Sequence, residues 1–267
     1  MLHLERKSIL YTSQQRSMYI GRLERVIKRA NVASTLLVSI EDDLELVSAA
    51  NGRKIRSKSF LIPAGMNVTI DTHGAKVAQC FLNDMGADLA KLIPQMKTSL
   101  SNDKNSYIYC DIHNEAQLIN HAGYLLSQRP SNEVAFEQFD EWMGAFPINT
   151  IHSVDPRVEK AASLIKENYT ENLSVEQVAK SVGLSVPRLS QLFKQVTGVP
   201  MRRFRLWYRL FAAAAKFSQG YSLTDAAIAA GFADYPQLCR VFRELTGSKP
   251  SIAKKHTEIR VLAGCYL

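Results

Sequence analysis

The chain has 267 residues, 46% hydrophobic and 22% charged, enough for two domains that each bury a core. It holds no uninterrupted apolar run of about 18 residues, which excludes a transmembrane helix, and its four cysteines (Cys80, Cys110, Cys239, Cys265) form no C-x-x-C pair, which argues against a zinc knuckle or disulfide framework. The formal net charge is +8; residues 150–267 hold 17 Lys/Arg against 9 Asp/Glu and residues 1–149 hold 16 of each, so the whole excess lies in the C-terminal part.

The opening stretch, MLHLERKSILYTSQQR, is charged, lacks the apolar core of a secretory signal and predicts a cytoplasmic protein. Residues 1–110 read as β-rich. STLLVSIEDDLELV, RKIRSKSFLIPAG, NVTIDTHGAKVAQCFL and SYIYCDI are short runs of β-branched and aromatic residues. Glu41-Asp42-Asp43, Asn51-Gly52, Pro63-Ala64-Gly65 and His73-Gly74 punctuate them as turns. Asn51-Gly52 predicts a hairpin, and the strand spacing predicts a sandwich or small barrel. Residues 15–31 are ambiguous, since SMYIGRLERVIKRA also fits a helix. From 113 to 143 the period becomes helical: Leu118, Ile119, Ala122, Leu125 and Leu126 share one face, then Val134, Phe136, Phe139, Trp142 and Met143 another. Arg129-Pro130-Ser131 breaks this stretch into a helical hairpin, whose apolar stripe fits either the sheet or a second subunit. Residues 144–154 read as a linker.

Beyond it, Asp155 and Pro156 fit the cap and first turn of a helix that buries Val158, Ala161, Ala162, Ile165 and Tyr169. Ser174 with Gln177 predicts a capping box, followed by a short helix burying Val175, Val178 and Ala179. Gly183 ends it, Ser185 caps a second helix, and Leu189, Leu192 and Phe193 are buried there: a helix-turn-helix over about 174–197. The pattern returns over about 222–246. Ser222 caps, Ala226 and Ala227 pack, Gly231 breaks, and Leu238, Val241 and Phe242 are buried. Gly183 and Gly231 lie 48 positions apart and Phe193 and Phe242 lie 49, so the second copy has one extra residue between Gly231 and Leu238.

In both copies the second helix sets polar side chains between its buried positions: Arg188, Ser190, Gln191 and Lys194, then Tyr235, Gln237, Cys239, Arg240 and Arg243. Arginine and glutamine can pair bidentately with guanine and adenine edges; lysine and outward arginine can hold phosphates. A helix over about 200–219 joins the copies and spans about 30 Å, near the ~34 Å between successive major-groove openings on one side of DNA. Arg202, Arg203, Arg205 and Arg209 add charge there, while Phe204, Trp207, Leu210 and Phe211 fit packing against flanking helices.

Residues 155–254 resemble the AraC/XylS family of bacterial transcription regulators. The resemblance is carried by LSQLFKQVTGVP with Arg209-Leu210 and Ala212-Ala213 after it, and by IAAGFADYPQLCRVFRELTGSKPS with its Gly231-Phe232, Phe242 and Thr246-Gly247…Pro250. It implies a bilobed all-α DNA-binding domain (155–267) of seven helices, with base-reading positions at Val186, Pro187, Ser190 and Gln191, then Tyr235, Pro236, Gln237 and Arg240. Pro187 and Pro236 depart from the family's polar or aromatic readers and fit a role in setting the helix start. Residues 1–143 resemble the cupin-like sensing and dimerisation region of many members, with a β barrel to about 110, FLIPAGMNVTI as a strand-turn-strand, and the hairpin at about 113–143. The histidine and glutamate metal set of cupin enzymes is missing: His73 stands alone, and His113 and His121 lie in or near the hairpin.

The expected class is therefore α+β multidomain: an N-terminal β-rich cupin-like domain with a helical hairpin, then an all-α bilobed double helix-turn-helix domain. The implied function is sequence-specific transcription regulation, activation more often than repression. Its partners would be double-stranded promoter DNA, RNA polymerase, a small-molecule effector of unknown identity and a second copy as homodimer; no membrane, cofactor, metal or catalytic residue is expected. A cupin-type enzyme fused to a DNA-binding tail and a sequence-indifferent architectural DNA binder are the competing readings.

Overall fold

The computed structural model describes residues 8–82, 85–103, 106–146, 154–250 and 257–262. Nine strands come first: β1 (Ser8–Thr12), β2 (Ser17–Arg22), β3 (Val26–Ala30), β4 (Thr35–Ser39), β5 (Leu44–Ser48), β6 (Lys54–Ser57), β7 (Ser59–Ile62), β8 (Asn67–Asp71) and β9 (Lys76–Phe81). The short helix α1 (Ala87–Leu92), β10 (Met96–Asp103) and β11 (Ser106–Ile112) complete a two-sheet unit. One sheet has eight strands in the order β10-β11-β7-β4-β9-β2-β1-β12, where β12 is Thr257–Val261; the other has four, β3-β8-β5-β6.

Alternation along the strands explains why the larger sheet is covered on both faces. Leu37, Phe60, Ile62 and Val77 point between the sheets, where they meet Leu44, Leu46, Val68 and Ile70. Their neighbours Leu36, Val38, Leu61 and Cys80 point the other way, onto a helical layer. That layer is the hairpin α2 (Glu115–Gln128) and α3 (Asn132–Gly144), which buries Leu118 and Leu125 from one helix and Ala135, Phe136, Phe139 and Met143 from the other. Of the two placements open to the apolar stripe, the chain's own sheet takes it. The ambiguous stretch 15–31 is two strands, not a helix. Met18 and Ile20 lie under α2 and α3, and in β3 Ile27 and Arg29 are buried while their neighbours Val26 and Lys28 are exposed, a period of two. The hairpin at Asn51-Gly52 joins β5 to β6, with Gly52 in the left-handed region at φ 69.

Six helices follow among the described residues: α4 (Pro156–Glu167), α5 (Val175–Ser181), α6 (Val186–Thr197), α7 (Met201–Ser218), α8 (Leu223–Ala229) and α9 (Tyr235–Thr246). The resemblance implied seven helices for this domain; part of the expected linker, 147–153, and the segment 251–256 lie outside the described residues. The helical unit does not hang free. Trp207 of α7 meets Phe81 of β9 edge-on at 4.7 Å, and Phe211 lies 6.2 Å from the same ring. Gly247, which ends α9, sits so tightly on β3 that a Cβ there would fall 1.9 Å from Ile27 Cγ2. The chain then returns to the larger sheet: residues Thr257–Val261, expected within the DNA-binding domain, form β12, parallel to β1. Ser8 and Thr257 hydroxyls lie 3.0 Å apart, Glu258 pairs with Arg129 at 2.7 Å, and Arg260 donates to the carbonyls of Arg129 and Pro130. No helix among the described residues is long and apolar enough to cross a membrane.

Candidate nucleic-acid interface

The two helix-turn-helix units are built by the same local chemistry with different residues. In the first, Ser174 accepts from Gln177 N at 3.2 Å while Gln177 Oε1 accepts from Ser174 N at 2.7 Å, closing the expected capping box. In the second, Ser222 accepts from Asp225 N at 3.1 Å. Ser185 holds the N-cap position of α6, but its side chain makes no capping bond, unlike the expectation. Its counterpart is Asp234, which accepts from Gln237 N at 2.6 Å. Ser185 follows Gly183 by two positions and Asp234 follows Gly231 by three, so the additional residue of the second copy lies in the turn, where no helical register is disturbed. Both recognition helices have 12 residues and end on a left-handed glycine, Gly198 and Gly247.

Between them, α7 is the packing centre. Its 18 residues span about 27 Å. Pro200 holds its N-cap position. Phe204 meets Phe193 of α6 edge-on at 5.1 Å, and Trp207, Leu210 and Phe211 are buried as expected. The arginines of α7 divide. Arg209, expected to add charge near DNA, is only 5% exposed. Its Nε donates to Tyr169 O at 2.6 Å, and its Nη2 reaches Thr170 O, Glu171 O and Asn172 Oδ1 at 3.0–3.3 Å. Desolvation, then repulsion from Arg205, lowers its pKa. Arg205 donates to Leu173 O at 2.6 Å, and Arg203 pairs with Glu244 at 3.0 Å. Arg202 stays exposed.

The turn after α8 is pressed onto the same loop. A Cβ on Gly231 would lie 2.8 Å from Thr170 Cα and 3.0 Å from Arg209 Nε, and its φ is 84. Gly231→Ala is therefore expected to cost about 1–3 kcal/mol, read as a lower denaturant midpoint at unchanged slope.

The predicted reading residues are distributed unevenly. On α6, Pro187, Arg188, Ser190, Gln191 and Lys194 are exposed and Val186 is half-buried. Arg188 Nη1 donates to Gln191 Oε1 at 3.1 Å, so these two neighbours are ordered against each other. On α9, Pro236, Arg240 and Arg243 are exposed, whereas Tyr235, Gln237 and Cys239 are half-buried. Gln237 is used locally: its Oε1 accepts from Ala233 N at 2.7 Å and reinforces the helix start. A hydrogen bond with Cys239, then burial, pushes the Tyr235 phenol up to about 12, so it stays protonated at neutral pH. Pro187 and Pro236 occupy the second helical position in their helices, where proline is at home.

Pro236, Cys239, Arg240, Arg243 and Glu244 line a groove of about 590 Å³ whose opposite wall is Lys28 of β3. Lys28 was invisible to sequence reasoning, because nothing local to β3 announces a neighbour more than 200 residues away. The face of α6 stands clear, and that of α9 borders an open groove, mostly basic, whose other wall is the β unit.

Residues 178–256 match a family model described as a helix-turn-helix domain. Over 97 residues the chain is 32% identical to the HTH-type transcriptional regulator RipA of Corynebacterium glutamicum, a match that covers 36% of this chain and 29% of RipA, so less than a third of that relative's length is spanned. The C-terminal part therefore carries a helix-turn-helix domain similar to that of an HTH-type transcriptional regulator. Similarity in fold extends beyond the helical unit. An apo variant of ToxT from Vibrio cholerae strain SCE256 superposes with a TM-score of 0.61 at 13% identity, covering 92% of this chain and 99% of that one. ToxT from V. cholerae O395 gives 0.56 at 16% identity, covering 93% and 96%. The likeness in fold to ToxT thus takes in the two-sheet N-terminal unit as well as the paired helix-turn-helix motifs.

Proposed function

We propose that this regulator reads two successive major grooves of promoter DNA with α6 and α9 and activates transcription by recruiting RNA polymerase. The observation that carries the reading is the exposed polar row Arg188, Ser190, Gln191 and Lys194 on α6, repeated as Arg240 and Arg243 on α9 at the far side of an 18-residue spacer helix. A major groove is about 12 Å wide and takes a whole helix. Engagement by α9 therefore requires β3 and its Lys28 to move off the groove they now share. Footprinting on genomic fragments selected by the full chain is expected to show two protected zones on one face, about 10 base pairs apart; one short zone alone overturns the reading. Gln191→Ala and Arg240→Ala should each cost about 1–3 kcal/mol on the selected site and relax preference in different half-sites. Uniform weakening on all sequences would reassign them to the phosphate backbone.

A second observation favours control by an acidic small molecule. Arg29 of β3 is 4% exposed. Its Nη1 donates to Gln79 Oε1, but Nε and Nη2 are buried without a hydrogen-bond partner. Desolvation lowers its pKa to about 10, so it remains a cation at neutral pH. Its guanidinium lies 5.9 Å from the Phe81 ring, the same ring that meets Trp207 and Phe211 of α7. A carboxylate bound there would satisfy both free donors and sit against the seam between sheet and spacer helix. ToxT has been crystallised with an unsaturated fatty acid bound. Titration with oleate is expected to quench Trp207 fluorescence in the parent chain and not in Arg29→Met.

A further inference from the structure

The outer cleft of the helical hairpin lies away from both the DNA-reading helices and Arg29. His121 and Tyr124 of α2 and Gln138, Glu141 and Trp142 of α3 line it, and it is a shallow cleft, open to solvent, of about 400 Å³. Three of these five side chains carry a buried polar atom with no partner: His121 Nε2, Gln138 Oε1 and Trp142 Nε1. Native proteins satisfy the great majority of such atoms, and each orphan costs about 1–3 kcal/mol. Three orphans among the five residues that line one cleft form a pattern that a polar molecule bound there, with a small side-chain adjustment, would resolve.

The lining also fixes the chemistry. Burial lowers the His121 pKa, so the imidazole is neutral at pH 7 and its Nε2 can accept a proton donor. Gln138 Oε1 accepts only. Glu141 sits exposed at the cleft, and no lysine or arginine among the described residues lines it. These groups favour a donor-rich cation and disfavour an anion. Two aromatic side chains complete the box. Trp142 is held edge-on by Phe146 at 4.7 Å and packed by Phe139 at 5.6 Å, and Tyr124 is 41% exposed. Aromatic faces attract ammonium groups. The exception is Trp142 Nε1–H, a donor, which asks for one acceptor on the same ligand.

We infer that the α2–α3 cleft is a binding site for a small organic ammonium that also carries a hydroxyl or carbonyl oxygen. The ammonium donates to Gln138 Oε1 and His121 Nε2 with Glu141 as counter-ion, and the ligand oxygen accepts from the Trp142 indole. The chain has two tryptophans, so full-length protein labelled with ¹⁵N at the indoles gives two side-chain signals, assigned by Trp142→Phe. Ethanolamine is the probe, with acetate as the anionic control. Ethanolamine should move the Trp142 signal saturably and leave Trp207 in place, and acetate should move neither. Gln138→Leu and Glu141→Gln should each weaken the response about tenfold, or roughly 1.4 kcal/mol, with melting curves confirming that both variants fold. An unmoved Trp142 signal, or equal movement by acetate, overturns the site. So does a Trp142 signal that ignores ethanolamine but shifts with protein concentration, because the cleft would then be filled by a second copy of the chain.

Discussion

Replacing Arg29 and its partner together, Arg29→Met with Gln79→Leu, is expected to stabilise the protein by about 1–4 kcal/mol. The sign is opposite to that of most core substitutions and follows from the environment. Arg29 is a cation at neutral pH, buried at 4% exposure, with one hydrogen bond and two unsatisfied donor atoms. Removing the charge deletes a desolvation cost that no carboxylate offsets. Gln79 must change with it, because the single Arg29→Met leaves Gln79 Oε1 orphaned at about 1–3 kcal/mol and masks the gain. Urea unfolding of the parent, the single and the double variant separates the terms. A double variant less stable than the parent would mean that Arg29 is compensated in solution. In the presence of a bound carboxylate the ranking should reverse, since only the parent gains the linkage energy of the ligand.

Arg209→Leu is expected to move stability the other way, by about 2–4 kcal/mol, because it strips the donor from four acceptors at once. Those acceptors belong to the segment Tyr169–Asn172, which joins α4 to the first helix-turn-helix, so loss of Arg209 frees that segment and the Gly231 turn resting on it. DNA binding should fall with stability, although Arg209 touches no reading residue. The salt dependence distinguishes this from a lost phosphate contact. An arginine on the DNA backbone would lower the slope of log affinity against log salt by about 1 and leave the melting curve in place. Arg209→Leu should do the reverse, lowering the denaturation midpoint and keeping the slope of the folded fraction.

The paired helix-turn-helix units were legible because their signals are local. Capping serines, left-handed glycines and apolar spacing act within a few residues, and the extra residue of the second copy could be placed near its turn from the spacing of glycines and phenylalanines alone. Ser185 and Asp234 show the limit of that reading: a good capping residue in position made no capping bond, and the true counterpart was hidden by a preceding insertion. Residues 15–31 resisted assignment because Arg and Lys are tolerated on a helix face and equally on an edge strand such as β3. The burial of Arg209, the wall that Lys28 forms opposite Arg240, and the isolation of Arg29 were not legible. Each depends on contact between segments 37 to more than 200 residues apart, and charge alone reads as solvent-exposed. The hairpin was seen but not its cleft, since the orphaned atoms of His121, Gln138 and Trp142 become unusual only once the two helices are laid side by side.

The parallel pairing of β1 with β12 has a bearing on how the protein is made. Ser8 and Thr257 are 249 positions apart. A ribosome adding roughly 5–20 residues per second needs on the order of ten to fifty seconds to supply the outer partner after β1 has emerged. Through that interval the nascent sheet presents an uncovered flank with unpaired amides, the kind of edge on which chains stick to one another. Slower translation should therefore raise the demand for chaperones during expression more than it would for a sheet completed early.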